Sequence, residues 1–278
     1  IAIRRPPTVD RVTTKPWRHV GVDWDSGGWV AVGYSENGEP GVETYATFET
    51  LWEEHGDTAE RIVVDIPIGL CGVSDDADGR VEYDECHSRR CDRLARMVIG
   101  PRSSSVFPAP CRAAVEAAMS GDRSYSELSD INRDEVDKGL TRQAASIIPG
   151  IIQVDRVLAE GASDDTIVES HPEVCFRAFA EEDLQYHKAT AQGMATRLDA
   201  MAASTEYEPN TWLVLASTLV DDEGVGVDDL VDALGLALTA RADHGAFHTL
   251  PDTEPIPTDA AGRPMRMCYR RAEPFDVE

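Results

Sequence analysis

Lysine is almost missing from this chain of 278 residues: Lys15, Lys138 and Lys188 are the only ones, and arginine supplies the rest of the 26 basic side chains. Against 51 acidic residues this leaves a net charge of −25 at pH 7. The balance argues against broad nucleic-acid affinity, which normally rests on a basic surface. Sparse lysine combined with turn aspartates (Asp75, Asp76, Asp78, Asp164, Asp165) suits a protein dissolved in molar salt, where the Debye length falls to about 3 Å and self-repulsion is screened. The expected setting is therefore the cytoplasm of a halophilic organism, with an ordinary acidic protein as the alternative. Apolar runs approaching the roughly 20 residues of a membrane span are lacking, so no membrane partner is expected. Ile1 to Arg18 are basic and proline-containing without an apolar core, and do not read as a secretory signal. Paired CxxC motifs are also missing. Cys86-His87 with Cys91 could form half a metal site, but no second half follows. The six cysteines read as buried or free thiols in a reducing compartment.

What is present describes a globular chain. Hydrophobic residues make up 42% and charged residues 28%, which excludes wholesale disorder. Residues 1–18 read as a flexible tail. His19 to Asp25 and Trp29 to Tyr34 are short apolar runs around Ser26-Gly27-Gly28, the pattern of a β-hairpin. A third strand is expected over Gly41 to Ala46, a short helix over Phe48 to His55, and a β-branched strand over Arg61 to Asp65, stopped by Ile66-Pro67. This order suggests a mixed sheet in an α/β domain. From about 70 to 165 the texture is helical: Glu85 to Ile99, Pro110 to Met119, and Leu140 to Ala159 with Pro149 as a kink. That segment reads as an insertion or cap. A short strand is expected over Thr166 to Glu169, then a helix through Phe179, a helix over Ala189 to Ala203, and a nearly all-apolar helix over Val227 to Ala240. Residues 251–278 form a proline-rich extension in which Met265 to Tyr269 suggest an edge strand.

The carboxylates sit in unusual places. Asp23 lies within a strand of small and apolar residues and shares a face with Gly21, while Val20 and Val22 point the other way. Asp65 ends Ile62-Val63-Val64, and Glu169 ends Ile167-Val168. Carboxylates at the ends of buried strands are expensive to desolvate unless paired or metal-bound, though each alone reads as a turn or cap residue. Asp228 and Asp229 read as first-turn acids favoured by a helix dipole. Asp229 and Asp232 share one helical face, and Asp232 stands among Val231, Ala233, Leu234 and Leu236, so a buried positive partner is expected. If the strands are neighbours, these acids converge, and oxygen donors without matching His or Cys ligands favour Mg²⁺ or Mn²⁺ over zinc. Two such ions could activate water and stabilise the leaving oxygen of a phosphodiester.

The order Gly21-Val-Asp23, Gly27-Gly-Trp29, Val64-Asp-Ile-Pro-Ile-Gly-Leu70, Arg89-Arg-Cys-Asp-Arg-Leu-Ala-Arg96, Ser104-Ser-Val-Phe-Pro-Ala-Pro110, Gln143 with Ile148-Pro-Gly-Ile-Ile-Gln-Val-Asp155, Glu169-Ser-His-Pro-Glu173 and Asp229-Leu-Val-Asp-Ala-Leu234 resembles the DUF429 proteins, described as predicted ribonuclease H-like nucleases. The likeness runs from about residue 19 to about 245. It implies a ribonuclease H-like mixed sheet flanked by helices over about 19–250, with the large helical insertion inside it. It also implies Asp23 on the first strand, Asp65 on the fourth, and Asp229 or Asp232 on the final helix, as in RuvC-type resolvases. The candidate catalytic and metal-ligating set is therefore Asp23, Asp65, Glu169, Asp229 and Asp232.

Arg89, Arg90, Arg93 and Arg96 run along one predicted helix, and Arg102 follows in the next loop. Guanidinium groups in this cluster could grip phosphates, or pair with Glu85, Asp92 and the surrounding acids. Of these, Arg89, Arg93, Arg96 and Arg102 are the candidate substrate contacts. Lys188 matches a lysine of the family pattern and joins them. His171 could shuttle a proton near Glu169, or act as a turn histidine before proline. The expected function is a metal-dependent nuclease with a nucleic acid substrate. The competing readings are an actin-like ATPase or kinase, which shares the ribonuclease H-like core but whose second glycine-rich phosphate loop and adenosine motif are not found here, and a catalytically silent module for nucleotides or a protein partner.

Overall fold

The computed structural model describes residues 16–25, 27–72, 88–180, 182–202, 207–219 and 224–277. Its centre is a five-stranded sheet: β1 (Trp17–Asp25), β2 (Gly28–Ser35), β3 (Pro40–Tyr45), β4 (Arg61–Val64) and β5 (Ile167–Glu169), in the order β3-β2-β1-β4-β5. β1, β2 and β3 pair antiparallel, whereas β4 runs parallel to β1 and β5 parallel to β4. This mixed sheet flanked by helices is consistent with a ribonuclease H-like sheet. The first strand begins at Trp17, which is buried against β3, two residues before the expected start; the rest of the tail, residues 1–15, lies outside the described residues.

The two faces of the sheet follow from period-2 alternation. Val20, Val22, Ile62, Val64 and Ile167 join one apolar cluster with Phe48 and Leu51 of α1 (Phe48–His55) and with Ile148, Ile151, Val154 and Val157 of α6 (Ile148–Ala159). The segment between β4 and β5 also holds α2 (Arg90–Val98), α3 (Arg112–Met119), α4 (Tyr125–Val136) and α5 (Arg142–Ser146). Through α6 it supplies one layer of the core, so it is more than an overlying cap. Residues 140–159 form two helices, with the break at Ile147 and Pro149 in the first turn of α6. There the missing N–H costs nothing, which is why the proline starts a helix instead of kinking one.

On the opposite face, Val63 and Val168 pack with Leu236 and Ala240 of α10 (Val227–Ala240), and Val30 and Val32 with Leu230, Leu234 and Ala237. Contact between α10 and β1 depends on Gly21. A Cβ there would lie 2.1 Å from the Ala237 nitrogen and 2.2 Å from the Ala233 oxygen. Both are backbone atoms, so no rotamer change relieves the clash. Gly21→Ala is therefore expected to cost at least about 3 kcal/mol, a fall of roughly 6–12 °C in melting temperature; an unchanged melting curve contradicts the close approach.

The remaining helices, α7 (Pro172–Phe179), α8 (Ala191–Ala202) and α9 (Thr211–Thr218), surround α10, and β6 (Phe247–Leu250) pairs with β7 (Met267–Arg270) in a separate two-stranded sheet. The C-terminal strand expected from Met265 to Tyr269 thus exists but does not extend the main sheet. Asp259 anchors the C-terminal segment by accepting from Leu70 N at 3.1 Å and from Arg112 Nη2 at 2.7 Å. Among the described residues no helix is long and apolar enough to cross a membrane. The five described cysteines are all buried and none is in a disulfide; Cys86 and His87 lie outside the described residues.

Candidate functional site

The spacing that seats Gly21 on α10 also aims Asp23, two residues on, at the same helix. Asp65 follows Val63 on that face, and its backbone N–H donates to Val22 O at 3.0 Å, holding the β4 end against β1. Asp232 comes down from α10. Asp23 and Asp232 are buried and Asp65 is half-buried. Burial, then the charges of Asp232 and Asp65, push the Asp23 carboxyl well above its usual range. Burial likewise raises Asp65, against the pull of His171 and Lys188, and a hydrogen bond from Asp23 holds it back. Burial pushes Asp232 up to about 7, although Lys188 opposes the rise. Lys188 Nζ lies 2.6 Å from Asp232 Oδ2 and 3.3 Å from Asp228 Oδ2, so this ammonium is the positive partner that a buried aspartate required.

Asp229 has a different task. Its Oδ2 accepts from Gly226 N at 3.1 Å, closing the first turn of α10 where an acid is favoured. It is half-buried, and its charge reaches Asp23 only as the weakest named influence on that group. Of the helix pair, Asp232 therefore joins the cluster and Asp229 caps the helix beside it.

Glu169 is turned to the other side of the sheet from Asp23. β4 and β5 are in register at Val64 and Glu169, so alternation places Glu169 with Ile167 on the face away from α10. Its Oε2 accepts from Ile68 N at 2.6 Å and its Oε1 pairs closely with Arg89 Nη2. Burial pushes this carboxyl up to about 8 against the pull of Arg89. Arg89 follows the pairing alternative of its cluster: it is only 2% exposed and is engaged with buried acids. Its guanidinium also lies 3.1 Å from Asp92 Oδ1 and 3.0 Å from Cys91 Sγ. The ligating atoms of Cys91, Asp92 and Glu169 all fall within 4.8 Å of one another, a spacing suited to a metal ion, but Arg89 already supplies the cation there.

The carboxylate that the sequence reading passed over is Glu173, in the first turn of α7. Its Oε1 pairs closely with Arg197, and its Oε2 is buried without a hydrogen-bond partner. Its charge raises both Asp65 and Asp232. Glu169-Ser-His-Pro-Glu173 contains the signal: a four-residue step from strand end to helix start crosses from one side of the sheet to the other. His171 caps α7, with Nδ1 accepting from Glu173 N at 3.1 Å and Nε2 3.3 Å from Ser105 O.

Of the predicted cationic contacts, Arg102 and Lys188 border the acids. Arg102 Nε lies 3.8 Å from Glu173 Oε1 and makes no hydrogen bond, while its Nη2 donates to Ser105 Oγ at 3.2 Å. Arg96 Nε donates to Val106 O at 2.7 Å and its buried Nη2 is unpartnered. Arg93 is exposed and donates to Ser88 O at 2.6 Å.

Gathered acids leave a pH signature. Aspartates of the unfolded chain titrate near 3.9, so between that and about 7 the folded protein holds more protons at Asp232, and stability falls as pH rises. In a chelator at fixed salt, the wild-type melting temperature is expected to drop from pH 5 to pH 8 more steeply than that of Asp232→Asn; parallel profiles contradict this electrostatic picture.

Comparison with known proteins finds no match among curated proteins and none among solved structures. The family model described as a protein of unknown function (DUF429) matches residues 21–256, a span that takes in every strand of the central sheet except the opening residues of β1 together with Asp23, Asp65, Glu173, Lys188 and Asp232, and the chain belongs to that family.

Proposed function

We propose that this protein hydrolyses phosphodiester bonds of nucleic acid with divalent ions, Mg²⁺ or Mn²⁺, held by Asp23, Asp65 and Asp232 with Glu173 alongside. The observation that carries the reading is the gathering of these acids, from positions far apart in the chain, on one face of the sheet. Their donor chemistry fits the ions. All four offer hard carboxylate oxygens, as Mg²⁺ and Mn²⁺ favour. Glu173 Oε2 is buried with no hydrogen-bond partner, and burial raises the Asp23, Asp65 and Asp232 carboxyls, with the charges of Asp232 and Asp65 adding to the rise at Asp23. A pair of divalent ions bound there would help water attack a phosphodiester and would neutralise the charge developing on the leaving oxygen.

The chain's own residues then have distinct tasks. Lys188 holds Asp232 in place and favours its ionised form. Arg102 presents an unpartnered N–H beside the acids, suited to a phosphate oxygen. His171 fixes the start of α7, and with it Glu173. Local cations of this kind permit a phosphate contact even on a strongly acidic molecule.

The test is cleavage of single- and double-stranded RNA and DNA and of a hybrid duplex, in Mg²⁺, Mn²⁺ or chelator. At least one substrate is expected to be cut only when the ion is present. No cleavage of any substrate, with no Mn²⁺ bound at millimolar concentration, would overturn the proposal.

A further inference from the structure

Beside the acid cluster lies a cavity of about 140 Å³, and Asp65 forms part of its wall. Trp24, Ile66, Phe107, Ile147 and Met267 make one part of the wall apolar, and Asp92, Glu169, Ser170 and His171 make another part polar. The five apolar residues come from five separate stretches of chain. Trp24 follows Asp23 on β1 and its Nε1 donates to Ser146 O at 3.2 Å, which ties the ring to the residue before Ile147. Ser105 and Val106 also line it, and their oxygens accept from Arg102 Nη2 and Arg96 Nε, which ties that part of the wall to two arginines.

From this arrangement we infer that the cavity is a base-binding subsite that takes a single pyrimidine ring from a strand whose phosphate lies at the carboxylates. The inference rests on the nuclease reading and deepens it. Size decides the ring. An apolar protein cavity of roughly 150 Å³ accommodates one six-membered ring, so this space accepts a pyrimidine and is too small for the fused rings of a purine. Chemistry decides the class of ligand. Aromatic and aliphatic walls favour a flat ring, for which stacking on aromatic side chains contributes about 1–3 kcal/mol per base. Divalent ions held by the carboxylates at one end would take the phosphate attached to it. A base held there must leave its stack, so the favoured substrate is single-stranded or locally unpaired.

The experiment is calorimetric titration of the full chain, in Ca²⁺ buffer, with dCMP, dTMP, dGMP and deoxyribose 5-phosphate. The two pyrimidine nucleotides are expected to bind at least tenfold tighter than dGMP and the abasic sugar phosphate. Ile147→Trp, which fills the cavity, and Phe107→Ala, which removes an aromatic wall, should each weaken dCMP at least tenfold while melting within a few degrees of wild type. Equal binding of dCMP and deoxyribose 5-phosphate, or dCMP binding untouched in both folded variants, would overturn the inference. Failure here is separable from failure of the nuclease reading. Metal-dependent cleavage that is indifferent to base identity and to Ile147→Trp removes the subsite and leaves the nuclease. Selective dCMP binding without cleavage of any nucleic acid leaves the pocket and removes the nuclease.

Discussion

Asp23→Asn is expected to lower metal-dependent cleavage by on the order of 10³-fold, equivalent to about 4 kcal/mol of barrier, while leaving the metal-free protein folded and no less stable. The substitution keeps the size of the side chain and removes its charge. Asp23 is buried on the central strand, and its carboxyl is held well above the usual range by burial and by Asp232 and Asp65. A group whose folded-state titration is raised works against folding at pH values above its unfolded range, so an uncharged replacement relieves repulsion. The same change deprives a divalent ion of a carboxylate ligand. Two measurements check this together: turnover, and the rise in melting temperature on adding Mn²⁺. Wild type should gain stability with Mn²⁺ by mass action, and Asp23→Asn should gain little. Equal turnover by the two proteins would refute the role given to Asp23, and so would an equal Mn²⁺ shift.

Arg89→Met is expected to destabilise the protein by about 3–5 kcal/mol, the cost of leaving buried charge unpaired. Arg89 and Glu169 are both almost fully buried and paired closely, with Asp92 Oδ1 3.1 Å from the same nitrogen. Methionine fills much of the space but strands two carboxylates. Adding Glu169→Gln should recover part of the loss, because the pair is coupled. A double-mutant cycle by urea denaturation measures that coupling; a value below about 0.5 kcal/mol would count against a mutually dependent pair. The same variants separate two sites for a metal. Glu169→Gln should keep the Mn²⁺ shift that Asp23→Asn loses. The reverse outcome would move the metal to Cys91, Asp92 and Glu169.

Much of the architecture was legible because apolar periodicity is written locally. The run Ile62-Val63-Val64 announces a buried strand, and the apolar stretch around Leu234 a buried helix, whatever they pack against. Two helices escaped notice for related reasons. α4 has a thin apolar face, although Ser124 and Glu127 form a capping box at its start that marks a helix N-terminus in sequence. α9, Thr211–Thr218, is apolar all round, which hides the helical period.

The candidate site was legible in part for the same reason. Asp23, Asp65 and Asp232 each interrupt an apolar pattern, so each stood out alone. Glu169 interrupts one in the same way, yet ends on the other face. Strand parity relates residues within β5, but only the pairing of Val64 with Glu169 relates that parity to β4. Glu173 was hidden because an acid in the first turn of a helix has an ordinary explanation. Arg89 kept two readings, a phosphate contact or a partner of Asp92 and other acids, because a guanidinium next to other arginines does not say which groups come to meet it.

Sequence alone determined the five strands of the central sheet, the long apolar helix and which acids were too costly to bury without a reason, since burial preference and backbone geometry act over a few residues; β6 (Phe247–Leu250) was not foreseen. Only the tertiary structure decided which of those acids meet, and which are answered by Arg89 instead. Register between strands and the approach of α10 over Gly21 join residues more than 200 positions apart, and electrostatic partnership at a few ångströms depends on that joining.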